Sequence, residues 1–340
     1  MSARGAWKNV LTALFGVAVG AAFLWLALRQ VDVADLAATF ARLDTTHLLL
    51  ATLLYWVALS LRVLRWRLLL CQLGSAPLAG VAETLVVGYA VNNVLPARLG
   101  EVARAEYGRR RLELGRARVF GSIVVERMLD LVAILACLAA GLVVLHYAGH
   151  GARQPTFELV ALNAGALIGL LALAIAVLRS GNLGRLPVPA AVLNLAHEFV
   201  AGIASLNRRS ALLAMLLSAI IWSFEVAALA RTFDALHVPL ALGQAMLVMG
   251  VASLSTLVPT APGFLGTYQL VFALAMRAFA LPESVGIVAA SAVQACLFGS
   301  VTVVGLAILG LRSALKLRAW SRPPAAQSSS ENGVKSVRAS

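Results

Sequence analysis

Long apolar runs, separated by short polar stretches, dominate the pattern of hydrophobic and polar positions along the chain. They cover residues 10–28, 47–66, 119–145, 157–178, 211–230, 240–258, 264–281 and 285–311. About twenty apolar residues cross a bilayer core as a helix. Helix is the required conformation, because backbone N–H and C=O groups in lipid must be satisfied within their own segment. The pattern therefore predicts an all-α, polytopic membrane protein with about eight spanning helices.

Other segments depart from this rhythm. Residues 78–97 are apolar but short, hold Glu83, Asn92 and Asn93, and end at Pro96, with arginine-rich stretches on both sides. Positive flanks mark the same side of a membrane, so this segment is expected to enter and return as a re-entrant hairpin. Over 189–207, Val192, Ala196, Phe199, Ile203 and Leu206 fall on one helical face, while Asn194, Glu198 and Ser205 fall on the other. That periodicity predicts an amphipathic helix lying in the membrane interface. Residues 321–340 are rich in Ser, Pro and Ala, which predicts a disordered tail behind a membrane domain of residues 1–320.

Composition agrees with lipid as the outer solvent. The chain is 61% hydrophobic and 13% charged, against roughly 45–50% apolar and 25% charged in soluble domains. Two soluble domains of this size would lack the polar residues to cover their surfaces. The net charge of +13 clusters at Arg4 and Lys8, within 62–67 and 98–118, around Arg208, and beyond Arg312. Basic clusters between apolar runs mark cytoplasmic loops facing anionic lipid, so no nucleic-acid partner is expected. With 78–97 re-entrant, the count puts both termini in the cytoplasm and the chain in the cell inner membrane. The first apolar run is long for a secretory signal, and Ala27-Leu28-Arg29 is a poor cleavage site, so it is expected to remain as a spanning helix.

The candidate chemistry sits where helices break. Gly88 to Gly100 and Gly250 to Gly263 each carry small polar residues, then Pro-x-x-x-Gly, then a new helix. Proline removes a backbone donor and glycine permits the turn. Broken hydrophobic segments in two halves of a transporter point to a substrate site near the repeat interface; chance similarity is the competing reading. At the first break stand Asn92, Asn93, Pro96, Arg98, Gly100, Glu101 and Arg104. Arg98 and Arg104 suit a phosphate head group, with Glu101 orienting them; the alternative is a solvated basic loop. At the second stand Pro259, Thr260, Pro262 and Gly263. They form either a helix start that attracts anions or a plain turn.

Glu126, Arg127 and Asp130 open an apolar span and form either a charge cluster lining a polar pathway or a structural pair. Glu83 and Glu225 are isolated carboxylates, read as proton carriers or as partners of Arg62, Arg65 or Arg231. Cys71, Cys137 and Cys296 have neither disulfide nor metal spacing, and His146 and His150 lack a third ligand. No metal or cofactor is expected. There is no Walker A sequence, no Gly-x-Ser-x-Gly and no dinucleotide fingerprint, so the expectation is a non-enzymatic protein.

Four motifs occur in order: Arg62-Val-Leu-Arg65-Trp66-Arg67, then Asn92 through Arg104, then Glu126-Arg127-Met-Leu-Asp130-Leu, then Pro259-Thr-Ala-Pro262-Gly263. This series resembles the membrane region of lysylphosphatidylglycerol synthases, a flippase-like family, over roughly residues 7–315. The resemblance implies the translocating half of those synthases without their soluble aminoacyltransferase domain. It implies movement of a polar- or phosphate-headed lipid between leaflets, the lipid being a phospholipid, a polyprenyl-linked lipid or a hopanoid. Two rivals stand beside it: a non-transporting subunit presenting lipid to a separate enzyme, and a lipid-linked glycosyltransferase. Expected partners are membrane lipids, lipid-biosynthetic enzymes or a second copy of the chain.

Overall fold

The computed structural model describes residues 18, 21–29, 32–95, 99–147, 208–257 and 261–320. The run predicted at 157–178, the interfacial helix at 189–207 and the tail at 321–340 lie outside the described residues, as do most of residues 1–20. Among the described residues every regular element is helical.

After helical residues 21–28, a short helix α1 (Val33–Ala41) leads into α2 (Thr45–Leu70). Asp44 caps α2 by accepting the Thr46 N–H at 2.7 Å. That bond is the main cause holding its carboxyl below the ordinary range. The next elements are α3 (Leu78–Val94), α4 (Leu99–Leu112) and α5 (Arg116–Tyr147). Then come α6 (Arg208–Asp234), α7 (Leu242–Ser255), α8 (Thr267–Ala278), α9 (Glu283–Ala292) and α10 (Gly299–Trp320). A π turn, Val293–Phe298, joins α9 to α10. Four stretches are long and apolar enough to cross a membrane among the described residues: Thr45–Leu70, Arg118–Tyr147, Arg209–Asp234 and Glu283–Ala314.

Residues 78–97 were expected to enter and return by themselves; instead Leu78–Val94 form one helix, and the first break joins α3 to α4 in an antiparallel hairpin whose register follows from small residues. Gly80 meets Leu112, Thr84 meets Gly108, Gly88 meets Arg104, and Asn92 meets Gly100. Four residues forward on α3 match four residues back on α4, one helical turn at a time. Glycines alternate between the two helices, so the backbones approach closely. A Cβ on Gly88 would lie 2.8 Å from Arg104 Cβ, too near for any real side chain.

At the second break two predicted spans are short helices. Residues 240–258 and 264–281 were each expected to cross; instead α7 has 14 residues and α8 has 12. At 1.5 Å per residue these reach about 21 and 18 Å, short of a core of about 30 Å. Three positive φ values cause the interruption: Gly263 at 62°, Phe264 at 60° and Gly266 at 83°. Pro262, read above as part of a helix start or a plain turn, does not begin the following helix. It opens a separate 3-10 turn instead, and α8 begins at Thr267. The Gly266 N–H donates to Gln269 Oε1 at 2.8 Å, which occupies the helix start.

The most extensive helix pairing is α2 against α6. The α3–α4 hairpin rests on α10 and α5, and α7 lies along α5. The large exposed apolar side chains, such as Leu49, Leu53, Leu212 and Val303, lie on the outer faces of long helices, as expected where lipid is the solvent.

Candidate functional site

Arg62 and Arg65, counted above among basic loop charges, are buried inside the helices. They sit on α2 at 8% and 0% exposure. Their spacing of three places both on one helical face, and that face meets the carboxylates of α5 and α6. Arg65 Nη2 lies 2.8 Å from Asp130 Oδ1 and 3.7 Å from Glu126 Oε1. Its Nη1 donates to Ser218 Oγ at 2.7 Å. Arg62 bridges Asp130 at 3.2 Å and Glu225 at 2.9 Å, with its guanidinium 5.6 Å from the Trp222 ring centroid.

The α5 charges complete the network. Arg127 Nη2 pairs with Glu126 at 2.9 Å and Asp130 at 3.6 Å. Its Nε faces Glu101 of α4 at 3.8 Å. Arg104 Nη2 reaches Glu126 Oε2 at 2.6 Å while its guanidinium stacks 3.7 Å over Trp66. Four arginines (Arg62, Arg65, Arg104, Arg127) thus face four carboxylates (Glu101, Glu126, Asp130, Glu225). Asp130 lies about 21 Å along α5 from its start, at the 1.5 Å helical rise. Charges at such depth are costly unless paired with one another, as these are.

A cavity of about 170 Å³ opens beside this network. Asn92, Asn93 and Glu101 line it from the first break, and Ser253, Thr256 and Phe264 from the second. The two breaks meet there: a Cβ on Gly263 would stand 3.5 Å from the Asn93 carbonyl. The π turn ties them together. Gln294 donates to the Gly263 carbonyl at 2.9 Å, and Asn93 donates to the Phe298 carbonyl at 3.3 Å and to Thr302 Oγ1 at 2.9 Å. The Phe298 carbonyl, at the end of the π turn, accepts from both Asn93 and the Thr302 hydroxyl and so ties the first break to α10.

The lining joins charge to aromatic surface. Arg62, Arg127, Asp130 and Glu225 face Tyr55, Tyr89, Trp222 and Tyr268 across it. Asn92 Oδ1 and Arg127 Nε have no hydrogen-bond partner in the protein. Both atoms are buried in residues of the cavity wall, and buried polar atoms without a hydrogen bond demand a partner. A second, apolar cleft of about 530 Å³ between α5 and α6 shares Trp222 with the cavity.

The expected site residues divide accordingly. Asn92, Asn93, Glu101, Arg127, Asp130 and Glu225 surround the cavity, as does Arg62. Arg104 does not: it is 3% exposed and locked between Trp66 and Glu126, because α4 turns it into the hairpin interface. Glu126 is wholly buried behind it. Gly100 serves hairpin packing, and Gly263 the second turn. Pro96, Arg98, Pro259 and Thr260 lie outside the described residues. Glu83 is far from Arg62, Arg65 and Arg231 in its pairing; it accepts from Tyr107, Arg111 and Arg312 and ties the hairpin to α10. Tyr55, Tyr89, Trp222 and Gln294 went unremarked in the sequence. The available signal was a polar-tipped aromatic or an amide in the middle of an apolar run.

No group of three or more His, Cys, Asp or Glu side chains fit to hold a metal occurs among the described residues. The family model described as the lysylphosphatidylglycerol synthase TM region matches residues 13–305. A curated relative, Glycosyltransferase AglD of Haloferax volcanii, is 25% identical over 334 residues, covering 87% of this chain and 53% of that protein. The chain therefore spans about half the length of the curated relative it matches.

Proposed function

Because the chain belongs to the lysylphosphatidylglycerol synthase transmembrane family, we propose that it carries the polar head group of a membrane lipid between leaflets through the cavity at the two breaks. One observation carries this reading. A charge-lined, aromatic-walled cavity lies among apolar helices, with two buried wall atoms, Asn92 Oδ1 and Arg127 Nε, that make no hydrogen bond in the protein. A head group bearing a phosphate and hydroxyl or amine donors satisfies both atoms. Meanwhile its acyl or isoprenoid chains remain in lipid, so only the head group requires a polar path.

Within this reading Arg127 and Arg62 contact the phosphate, Asn92 accepts from the head group, and the tyrosines and Trp222 pack its carbon skeleton. Arg104 and Glu126 position the α4 and α5 backbones and do not touch the lipid. Partners are lipids, together with the enzymes that make or consume the head group.

The test is reconstitution into liposomes with a fluorescently head-labelled phospholipid and external dithionite. Wild-type protein exposes inner-leaflet dye to bleaching, whereas Ser253→Trp, which fills the cavity, leaves it protected. Bleaching confined to the outer leaflet with wild-type protein contradicts the proposal.

The relative named as a glycosyltransferase supports a second reading, in which the chain belongs to lipid-linked sugar chemistry. Aromatic rings beside carboxylates and amides also suit a sugar. Transfer of a sugar to a lipid by the purified protein alone would favour this reading. Lipid binding without faster crossing would favour a subunit that presents lipid to a separate enzyme.

A further inference from the structure

The cavity wall carries three carboxylates, Glu101, Asp130 and Glu225, against two arginines, Arg62 and Arg127. Behind that wall Arg65 and Arg104 balance the network at four arginines and four carboxylates, so an entering phosphate creates a negative surplus in a place where charge is costly. The arrangement of partners shows where that surplus can be relieved. Asp130 is held by Arg62, Arg65 and Arg127 and accepts from Trp222 at 3.4 Å. It keeps two arginines if Arg62 moves away. Glu101 has a third of its side chain exposed and is partly solvated. Glu225 is 6% exposed, and among the described residues its one ionic partner is Arg62, through Oε1. Arg62 lines the cavity together with Arg127, so one of the two cations an arriving phosphate meets is the one that neutralises Glu225.

We propose that Glu225 is a proton site coupled to head-group binding. A phosphate in the cavity draws Arg62 from Glu225, and the carboxylate takes one proton in exchange from hydronium or a buffer acid in the bulk solvent, which is left as its conjugate base. The O–H bond forms on Glu225, the phosphate keeps its charge against Arg62⁺, and the net charge of the occupied wall is unchanged. The lipid thus crosses together with a proton, which gives a chain with no Walker A sequence a way to draw on a proton gradient. The remaining groups facing this point do not replace Glu225. Tyr55 on α2, Tyr89 on α3 and Tyr268 on α8 bring phenol hydroxyls and no carboxylate to the cavity. Arg127 remains engaged by Glu126 and Asp130. This inference rests on the translocation reading but is measured through binding alone.

The experiment titrates the detergent-solubilised full chain with water-soluble dihexanoylphosphatidylglycerol by calorimetry, in buffers of differing ionisation enthalpy. The expected result is uptake approaching one proton per lipid bound. Affinity then tightens by up to about tenfold per unit fall in pH, since binding takes up a proton. Glu225→Gln keeps a side-chain acceptor for Arg62 and a similar shape, and is expected to abolish both the uptake and the pH dependence. Glu225→Asp retains them. Uptake that persists in a monodisperse Glu225→Gln variant overturns the proposal, as does wild-type binding without uptake, or the absence of binding. Failure of lipid crossing in liposomes, with proton uptake intact, instead strikes at the translocation reading and leaves Glu225 as a coupled site.

Discussion

At the scale of single residues, burial separates arginines that hold the protein together from those that face a ligand. Glu126 is fully buried and takes charge from Arg104, Arg65 and Arg127. Glu126→Ala leaves those cations uncompensated, and removal of one partner of a buried pair costs about 3–5 kcal/mol. A large fall in melting temperature in detergent is expected. Replacing Arg104 and Glu126 together by Met is expected to restore much of that loss, because an apolar pair avoids the desolvation of both charges. If the double variant is as unstable as the single, the Arg104–Glu126 contact is not the structural clamp described above. Asp44 gives a pH-dependent case outside the membrane. Its carboxyl is held low chiefly by the Thr46 N–H, so its capping contribution is present above the unfolded-state pKa of about 3.9 and fades as pH falls through the lower folded value. The stability gap between wild type and Asp44→Ala is therefore expected to be constant near neutrality and to shrink in acid. A gap that widens in acid would contradict this assignment.

At the scale of helices, close approach explains the elements that hydropathy alone describes poorly. The α3–α4 hairpin depends on glycines at its crossing points, and Gly88 leaves no room for a side chain against Arg104. Gly88→Val is expected to separate the hairpin, expose its amides to hydrogen exchange and abolish transport. Gly121 on α5 is the control: no atom lies within 4 Å of an added Cβ. There alanine is expected to stabilise by about 0.5–1 kcal/mol through helix propensity. Equal effects at the two sites would remove the packing argument. The reversal at Pro96 was legible but its arms were not: residues 78–97 were expected to enter and return by themselves, whereas Leu78–Val94 form one helix and the arginine-rich flank is the returning arm. The second break was legible in position but not in consequence. Pro259, Pro262 and Gly263 mark a turn, yet only the positive φ values at Gly263, Phe264 and Gly266 show that the flanking helices stop well short of full crossings. The π turn was not legible at all, because it depends on Gln294 and Asn93 finding partners distant in sequence.

At the scale of the whole molecule, the arginines of α2 show why pattern reading misplaces some charges. Arg62 and Arg65 look like the basic end of a span, and the positive-inside rule counts them as such. Their burial is decided by carboxylates 61 to 163 residues away, on α5 and α6, and such pairings leave no local trace. The same long-range assembly brings Asn92 and Asn93 beside Ser253 and Thr256 and makes one cavity from two separate interruptions. The central claim is that this cavity receives a lipid head group while the tails stay outside. It is tested most directly by photolabelling the reconstituted protein with paired phospholipids, one carrying a diazirine on the head group and the other on an acyl chain, and mapping the modified residues by mass spectrometry. The account predicts that the head-group probe marks the cavity wall at Tyr89, Trp222 and Met249, and that the acyl probe marks outward residues such as Leu53 and Val303. Head-group labelling confined to helix ends, with Tyr89, Trp222 and Met249 untouched, would contradict it.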